Sequence, residues 1–190
     1  MPVTSNDIAN QALQYIGDNQ AAVSGTAPVF DSSSAGKALA RIYTPCVQTV
    51  GRKFGWDFAR NQVALALSGN AAPVPWAFEY LYPGNGVEIW QLVPPAPPAD
   101  VNNPLPVNWQ IANVQVGGVQ TKVIQCNLAN AVATYNNAPG EALWDALFRQ
   151  AVVRTLAGAL AMALEGKPDT AAAMLESGAR FEQIGEGRWD

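Results

Sequence analysis

Gly55-Trp56-Asp57-Phe58-Ala59-Arg60, followed after one short strand by Pro75-Trp76-Ala77-Phe78-Glu79-Tyr80-Leu81-Tyr82-Pro83, is the stretch on which the reading of the fold turns. Upstream, apolar residues recur at Ala35, Leu39, Ile42, Cys46, Val50 and Phe54, the spacing of one helix face. Downstream, Val63, Leu65 and Leu67 recur at every second position, the period of a strand. Trp56 and Phe58 therefore stand where a long helix hands over to a sheet. An aromatic pair there is expected to bury its rings against both elements and fix the angle between them.

Towards the N-terminus, Thr4 or Ser5 can cap a helix with Asn6 and Asp7 in its first turn. Ile8, Ala12, Leu13 and Ile16 form its stripe, and Gly17 is placed to end it. Residues 18–32, rich in Ala, Ser, Gly and Pro, read as a loop. The second helix is expected to start at Ser33 or Ser34 behind Asp31, and Pro45 predicts a kink within it. Away from its apolar stripe lie Lys37, Arg41, Gln48 and Arg52. Such a stripe is either a solvated face or a contact for an acidic neighbouring subunit.

From 61 to 137 the signals are short strands and tight turns. Phe78–Leu81 and Val87–Leu92 flank Gly84-Asn85-Gly86, which predicts a hairpin. Val107–Val114 and Val119–Gln125 bracket Gly117-Gly118, a second one, and Ala131–Tyr135 gives a last strand. Pro94-Pro95-Ala96-Pro97-Pro98 cannot join a ladder and reads as a stiff excursion. This pattern predicts a small sandwich or barrel-like sheet inserted between helices.

Helical pattern returns at Pro139-Gly140-Glu141. Glu141, Asp145 and Arg149 fall on one face, and an Asp145–Arg149 pair would add about 0.3 kcal/mol. From Val152 to Leu164 the helix is apolar nearly all round and so expected to be buried, with Ala157-Gly158-Ala159 and Ala161 allowing a close neighbour. Gly166, Lys167 and Pro168 break it. Asp169 or Thr170 can cap a last helix with Ala171, Met174, Leu175, Gly178 and Phe181 inward and a Glu176–Arg180 pair outward. Gly185 to Asp190 reads as a flexible tail, although Arg188 and Trp189 are residue types enriched at interface hot spots.

Composition narrows the chemistry. The chain has 190 residues, of which 14% are charged and 49% apolar, so more surface than usual is expected to be covered by other subunits. It contains no histidine, which removes the commonest general base and metal ligand. Cys46 and Cys126, without a Cys-x-x-Cys pair, read as buried thiols and not a zinc site. A net charge of −4 argues against a surface that neutralises phosphates. No signal peptide is legible, and the run Ala151–Leu164, which contains Arg154, is too short to span a bilayer. Neither a phosphate-binding Gly-rich loop nor a Gly-x-Ser-x-Gly elbow is present. Paired carboxylates are the remaining catalytic option: Glu79 with Glu88 on the expected hairpin, or Glu141 with Asp145. Trp76, Trp90 and Trp109 could stack on a sugar, but as core or subunit-contact residues they need no ligand. No catalytic, cofactor or metal site is therefore expected.

Taken together, Tyr43-x-Pro45, Gly-Trp-Asp-Phe-Ala, the strand after it and Pro-Trp-x-Phe-x-Tyr-x-Tyr-Pro resemble the phage head-to-tail adaptors called tail tubular protein A or tail accessory factor. Leu143-Trp144-Asp145-x-x-Phe148-x-x-Ala151, with Leu156-Ala157 beyond it, looks like the same family's closing helix. One departure is Tyr82-Pro83-Gly84-Asn85-Gly86, where members often carry Pro-Ala-Asp or similar after the tyrosine. The resemblance implies an α+β protein: a four-helix bundle-like domain from 1–60 and 138–184, an inserted antiparallel β region at 61–137, and a tail at 185–190. It further implies a structural virion protein at the head–tail junction, present in the host cytoplasm before assembly. Its partners would be a portal protein, a tail or nozzle protein, and copies of itself in a dodecameric ring around a channel through which double-stranded DNA passes. Neither a cofactor nor a membrane is implied. Arg188, Trp189, Lys37, Arg41 and Arg52 are the expected interface residues. The alternative from another class is a carboxylate-dependent peptidoglycan hydrolase.

Overall fold

Of the two caps that the sequence offers, Thr4 is the one that caps the first helix: its hydroxyl accepts from the Asp7 amide, and the Asp7 carboxylate accepts from the Thr4 amide, a reciprocal capping box. Helix α1 spans Ser5–Tyr15 and buries Ile8, Ala9, Ala12 and Leu13. The computed structural model describes residues 3–17, 22–53, 56–95, 107–137 and 140–186. The fold is mixed α and β with antiparallel sheets, and the chain divides into two compact units, Met1–Ala59 with Ala138–Asp190, and Arg60–Asn137.

In the first unit the segment expected as a loop contains a miniature hairpin, β1 (Gly25–Thr26) with β2 (Val29–Phe30). No periodicity is readable from two-residue strands. The hairpin is tied down by the Ser5 hydroxyl, which accepts from the Ala27 amide, and by Phe30, whose ring lies 5.7 Å from Tyr43. Helix α2 (Ser34–Lys53) is one continuous element through Pro45 and buries Leu39, Tyr43, Cys46, Val47 and Val50. Its inward stripe thus runs through Tyr43 and Val47, while Ile42 is only half-buried.

Helix α3 (Ala146–Leu160) continues through a π-helical turn at Ala161–Glu165, and α4 spans Pro168–Glu186. Helix α3 packs against α1, α2 and α4. Its contact with α4 is close: a Cβ on Gly158 would lie 2.9 Å from Leu175 Cγ. The small residues of α3 therefore admit α4. The continuous helix Ala146–Leu164 is long and apolar enough to cross a membrane by length and composition, which corrects the shorter run read from sequence. Half of that helix is buried inside the protein, as its place among three other helices requires. Arg154 is accommodated there by lying over the Tyr15 ring, 3.7 Å from its centroid.

Two further expectations are corrected here. Helix α3 starts at Ala146, not near Glu141: Glu141–Leu143 is a separate 3-10 turn, and Asp145 is the N-cap, accepting from the Leu147 amide at 2.7 Å. A capping carboxylate turned towards the helix start does not pair with Arg149, and no such ion pair forms. Gly185 and Glu186, read as part of a tail, belong to α4. Arg188 and Trp189 lie outside the described residues, as do Phe54, Gly55 and the prolines at 97 and 98.

The second unit holds β3 (Arg60–Ala64), β4 (Phe78–Leu81), β5 (Gly86–Val93), β6 (Trp109–Val116), β7 (Val119–Cys126) and β8 (Val132–Asn137). They form two antiparallel sheets ordered β3-β8-β5 and β4-β7-β6. The expected β6–β7 hairpin forms, with positive φ at both Gly117 and Gly118, the conformation its two-residue turn demands. The expected β4–β5 hairpin does not. β4 pairs with β7 and β5 with β8, so Tyr82–Asn85 carries the chain from one sheet to the other. The segment after β3 links the same two sheets: Leu65 N–H donates to Ala131 in line with β8, while Ala66 and Ser68 bond to Leu81 and Glu79 of β4. Tyr80, Ile89, Leu92, Ile124, Cys126 and Tyr135, drawn from both sheets, share one core.

Candidate functional site

Helix α2 has two faces with opposite tasks. The inner one is core. On the outer one, Lys37, Arg41, Thr44, Gln48 and Arg52 recur at four- and three-residue steps, and all five are exposed. Helix α2 contains no acidic residue, so no intrahelical pair can neutralise this stripe. Among the described residues, Lys37, Arg41 and Arg52 make no ion pair. Lys53, by contrast, turns to the buried Glu182 carboxylate of α4 at 2.8 Å. That pair escaped the sequence reading because its members are 129 positions apart.

Beside the stripe runs a groove of about 230 Å³ lined by Tyr43, Thr44, Val47, Gln48, Gly140, Glu141 and Trp144. Thr44 and Gln48 belong to both features, so stripe and groove are one surface. The groove wall is held by a hydrogen bond from the Tyr43 hydroxyl to Glu141 Oε1, 3.0 Å. Burial, and then the Glu141 charge, push the Tyr43 phenol well above its ordinary pKa, so it stays a donor. Leu143 stands exposed in the same 3-10 turn as Glu141.

Behind the groove lies an aromatic cluster. Phe148 sits at its centre, with Trp144 at 4.9 Å, Phe58 at 5.0 Å and Trp56 at 5.1 Å, all edge-to-face. The Trp56 indole N–H donates to the Val50 carbonyl at 3.1 Å. Trp56 and Phe58 thus pack into the helical core, where the sequence reading placed them between helix and sheet.

The carboxylate pairs considered for catalysis are not assembled as expected. Without a β4–β5 hairpin, Glu79 and Glu88 lie on strands of different sheets. Glu79 is buried, accepting from Ser68 Oγ (2.8 Å), Asn70 Nδ2 (3.2 Å) and Gln125 Nε2 (2.8 Å). Burial alone would raise its pKa; the three hydrogen bonds outweigh it and hold the carboxyl below its ordinary value. Gln110 extends the ladder by donating to Gln125 at 2.7 Å. Asp145 is occupied as a cap and Glu141 by Tyr43. Of the three tryptophans considered for stacking, Trp90 is exposed while Trp76 and Trp109 are half-buried. Cys46 and Cys126 are buried thiols, and burial pushes that of Cys46 up to about 11. Among the described residues no group of three or more His, Cys, Asp and Glu side chains could hold a metal ion.

In comparisons with known proteins, no family model and no curated protein matches the sequence.

Proposed function

We propose that the chain is a structural virion protein, a head-to-tail adaptor that forms a ring between the portal and the tail of a phage and extends the DNA channel. The observation that carries this reading is a convergence. Two of the three stretches on which the resemblance rests, 43–59 and 143–157, lie far apart in the chain; the third, 75–83, belongs to the other unit. The first two meet in one cluster and one groove wall: Trp56 and Phe58 against Phe148, and Tyr43 against Glu141 beside Trp144. The finer architecture of the reading is a bundle-like helical frame interrupted by a sandwich- or barrel-like region. Its support is the contact of α3 with each other helix and the hydrogen bonds that carry the segment after β3 between sheets.

In this reading the exposed side of α2 meets protein. DNA passes through the ring without being held, because an acidic chain offers few groups to neutralise phosphates. The C-terminal residues Arg188 and Trp189 would contact the portal. The test is co-sedimentation with purified portal rings of the same phage, using the full chain and a truncation after Glu186. We expect capture of the full chain, loss of capture on truncation, and the same melting temperature for both. Absence of the full chain from the portal pellet would defeat the proposal, and equal capture of both would remove the C-terminal contact from it.

A further inference from the structure

Strand β3 lies at an edge, and its hydrogen bonds show which of its main-chain groups are already used. In the order β3-β8-β5 only β8 stands beside it. Leu65 N–H donates to the Ala131 carbonyl, and this pair continues the register in which Val63 faces Ala133 and Asn61 faces Tyr135. Bonded and non-bonded pairs alternate along an antiparallel ladder. Asn61, Val63 and Leu65 therefore turn their N–H and C=O groups to β8, while Gln62 and Ala64 turn theirs away. Two residues on, β4 takes up that outward side. Ala66 C=O accepts from Leu81 N–H at 2.8 Å, and Ser68 N–H donates to Glu79 C=O at 3.0 Å. Beyond Leu81 the chain leaves this line: Tyr82 N–H bonds to Lys122 of β7, and Pro83 has no N–H to give. Among the described residues nothing takes the place of β4 beside Gln62 and Ala64, and both are exposed.

At the fork where β3 and β4 part lies a cavity of about 240 Å³, with Ala64, Ala66, Leu81, Tyr82, Pro83 and Tyr135 in its lining. The Tyr135 hydroxyl donates to Asn85 Oδ1 at 3.1 Å and so ties β8 to the departing segment. We propose that this edge and fork are the docking site for an extended segment of a partner protein, added to β3 as a further strand with one apolar side chain in the cavity. A row of main-chain donors and acceptors selects an extended backbone, and the adjoining cavity selects a side chain. The direction follows from β4. A strand that continues its line runs antiparallel to β3 and has its N-terminal end at the fork, so the apolar residue belongs at that end. From Asn61 to Ala64, β3 carries neither a proline nor a charge that would blunt the edge. The inference concerns the second unit alone and does not depend on the adaptor reading.

The experiment pans a bead-bound library of random heptapeptides against the full chain and measures the enriched peptides by fluorescence anisotropy. We expect an apolar residue to be selected near the N-terminal end. N-methylation of alternate peptide residues, those whose N–H groups face β3, should weaken binding by roughly tenfold or more, and methylation of the intervening ones should leave it unchanged. Gln62→Pro and Ala64→Pro each remove an outward N–H and no bond to β8, a position where an edge strand accepts proline. Both should show the same loss of affinity with unchanged circular dichroism melts. Where a variant melts lower, the methylated peptides on wild type decide alone. A library that yields no binder overturns the inference, as do peptides bound equally in both methylation patterns or equally by both proline variants. Self-association of the wild type that both variants abolish would place a second copy on the edge and overturn the partner segment.

Discussion

At the scale of single residues, Trp56 and Glu79 carry the most structural consequence, for opposite reasons. Trp56 is buried, contacts Phe148 and Phe58, and satisfies its one polar atom on Val50. Trp56→Ala should cost about 3–5 kcal/mol by leaving a cavity in the helical core. Trp56→Phe, which keeps most of the ring contact, should lose less than half of that. Urea midpoints of the two variants check the order. Glu79 is a buried acid with neutral partners only, and its pKa is lowered on folding. The stability it contributes is therefore fully present above the unfolded carboxyl value and is lost as pH falls through the lowered folded one. Wild type should lose stability across the acid range below about pH 4.5, and Glu79→Gln should flatten that limb while being less stable at neutral pH. Parallel acid limbs in the two proteins would contradict the role assigned to the network.

Among elements, the α3–α4 contact is the most exacting. Gly158→Ala would place a Cβ 2.9 Å from Leu175 Cγ and 3.1 Å from the Ala171 carbonyl. Overpacking should cost about 1–3 kcal/mol despite alanine's better helix propensity. At Gly178 the nearest neighbour is the Thr155 hydroxyl at 3.1 Å, so Gly178→Ala should cost less. In the β6–β7 turn, Gly117→Asn should stabilise by about 0.5 kcal/mol, since asparagine tolerates the positive φ and restricts the unfolded chain. The same elements show how much the sequence disclosed. Helix faces, a cap at Thr4 or Ser5, the start of α2 at Ser33 or Ser34, and the Gly117-Gly118 hairpin were legible because their signals are local: period, cap and turn within a few residues. The β4–β5 hairpin was misread because Gly84-Asn85-Gly86 has the composition of a tight turn, whereas long-range partners, β7 and β8, decide the pairing. Asp145 was misread because a cap and a first-turn residue share a spacing. Of the candidate surface, the α2 stripe was visible as sequence; the groove beside it was not, because Tyr43 and Glu141 meet across 98 positions.

For the whole molecule, two compact units and an uneven distribution of charge are what any account of function has to use. A chain with a long helix lacking acids and a groove at its side suits a protein whose surface is completed by neighbours. That is the physical content of the proposed adaptor role, in which no residue performs chemistry and every exposed patch is a contact. The most direct measurement is electron microscopy of the chain mixed with the portal ring of its phage. The account predicts a second closed ring stacked on the portal, continuous with its channel and absent from portal alone. Portal particles unchanged by an excess of the folded chain would contradict it.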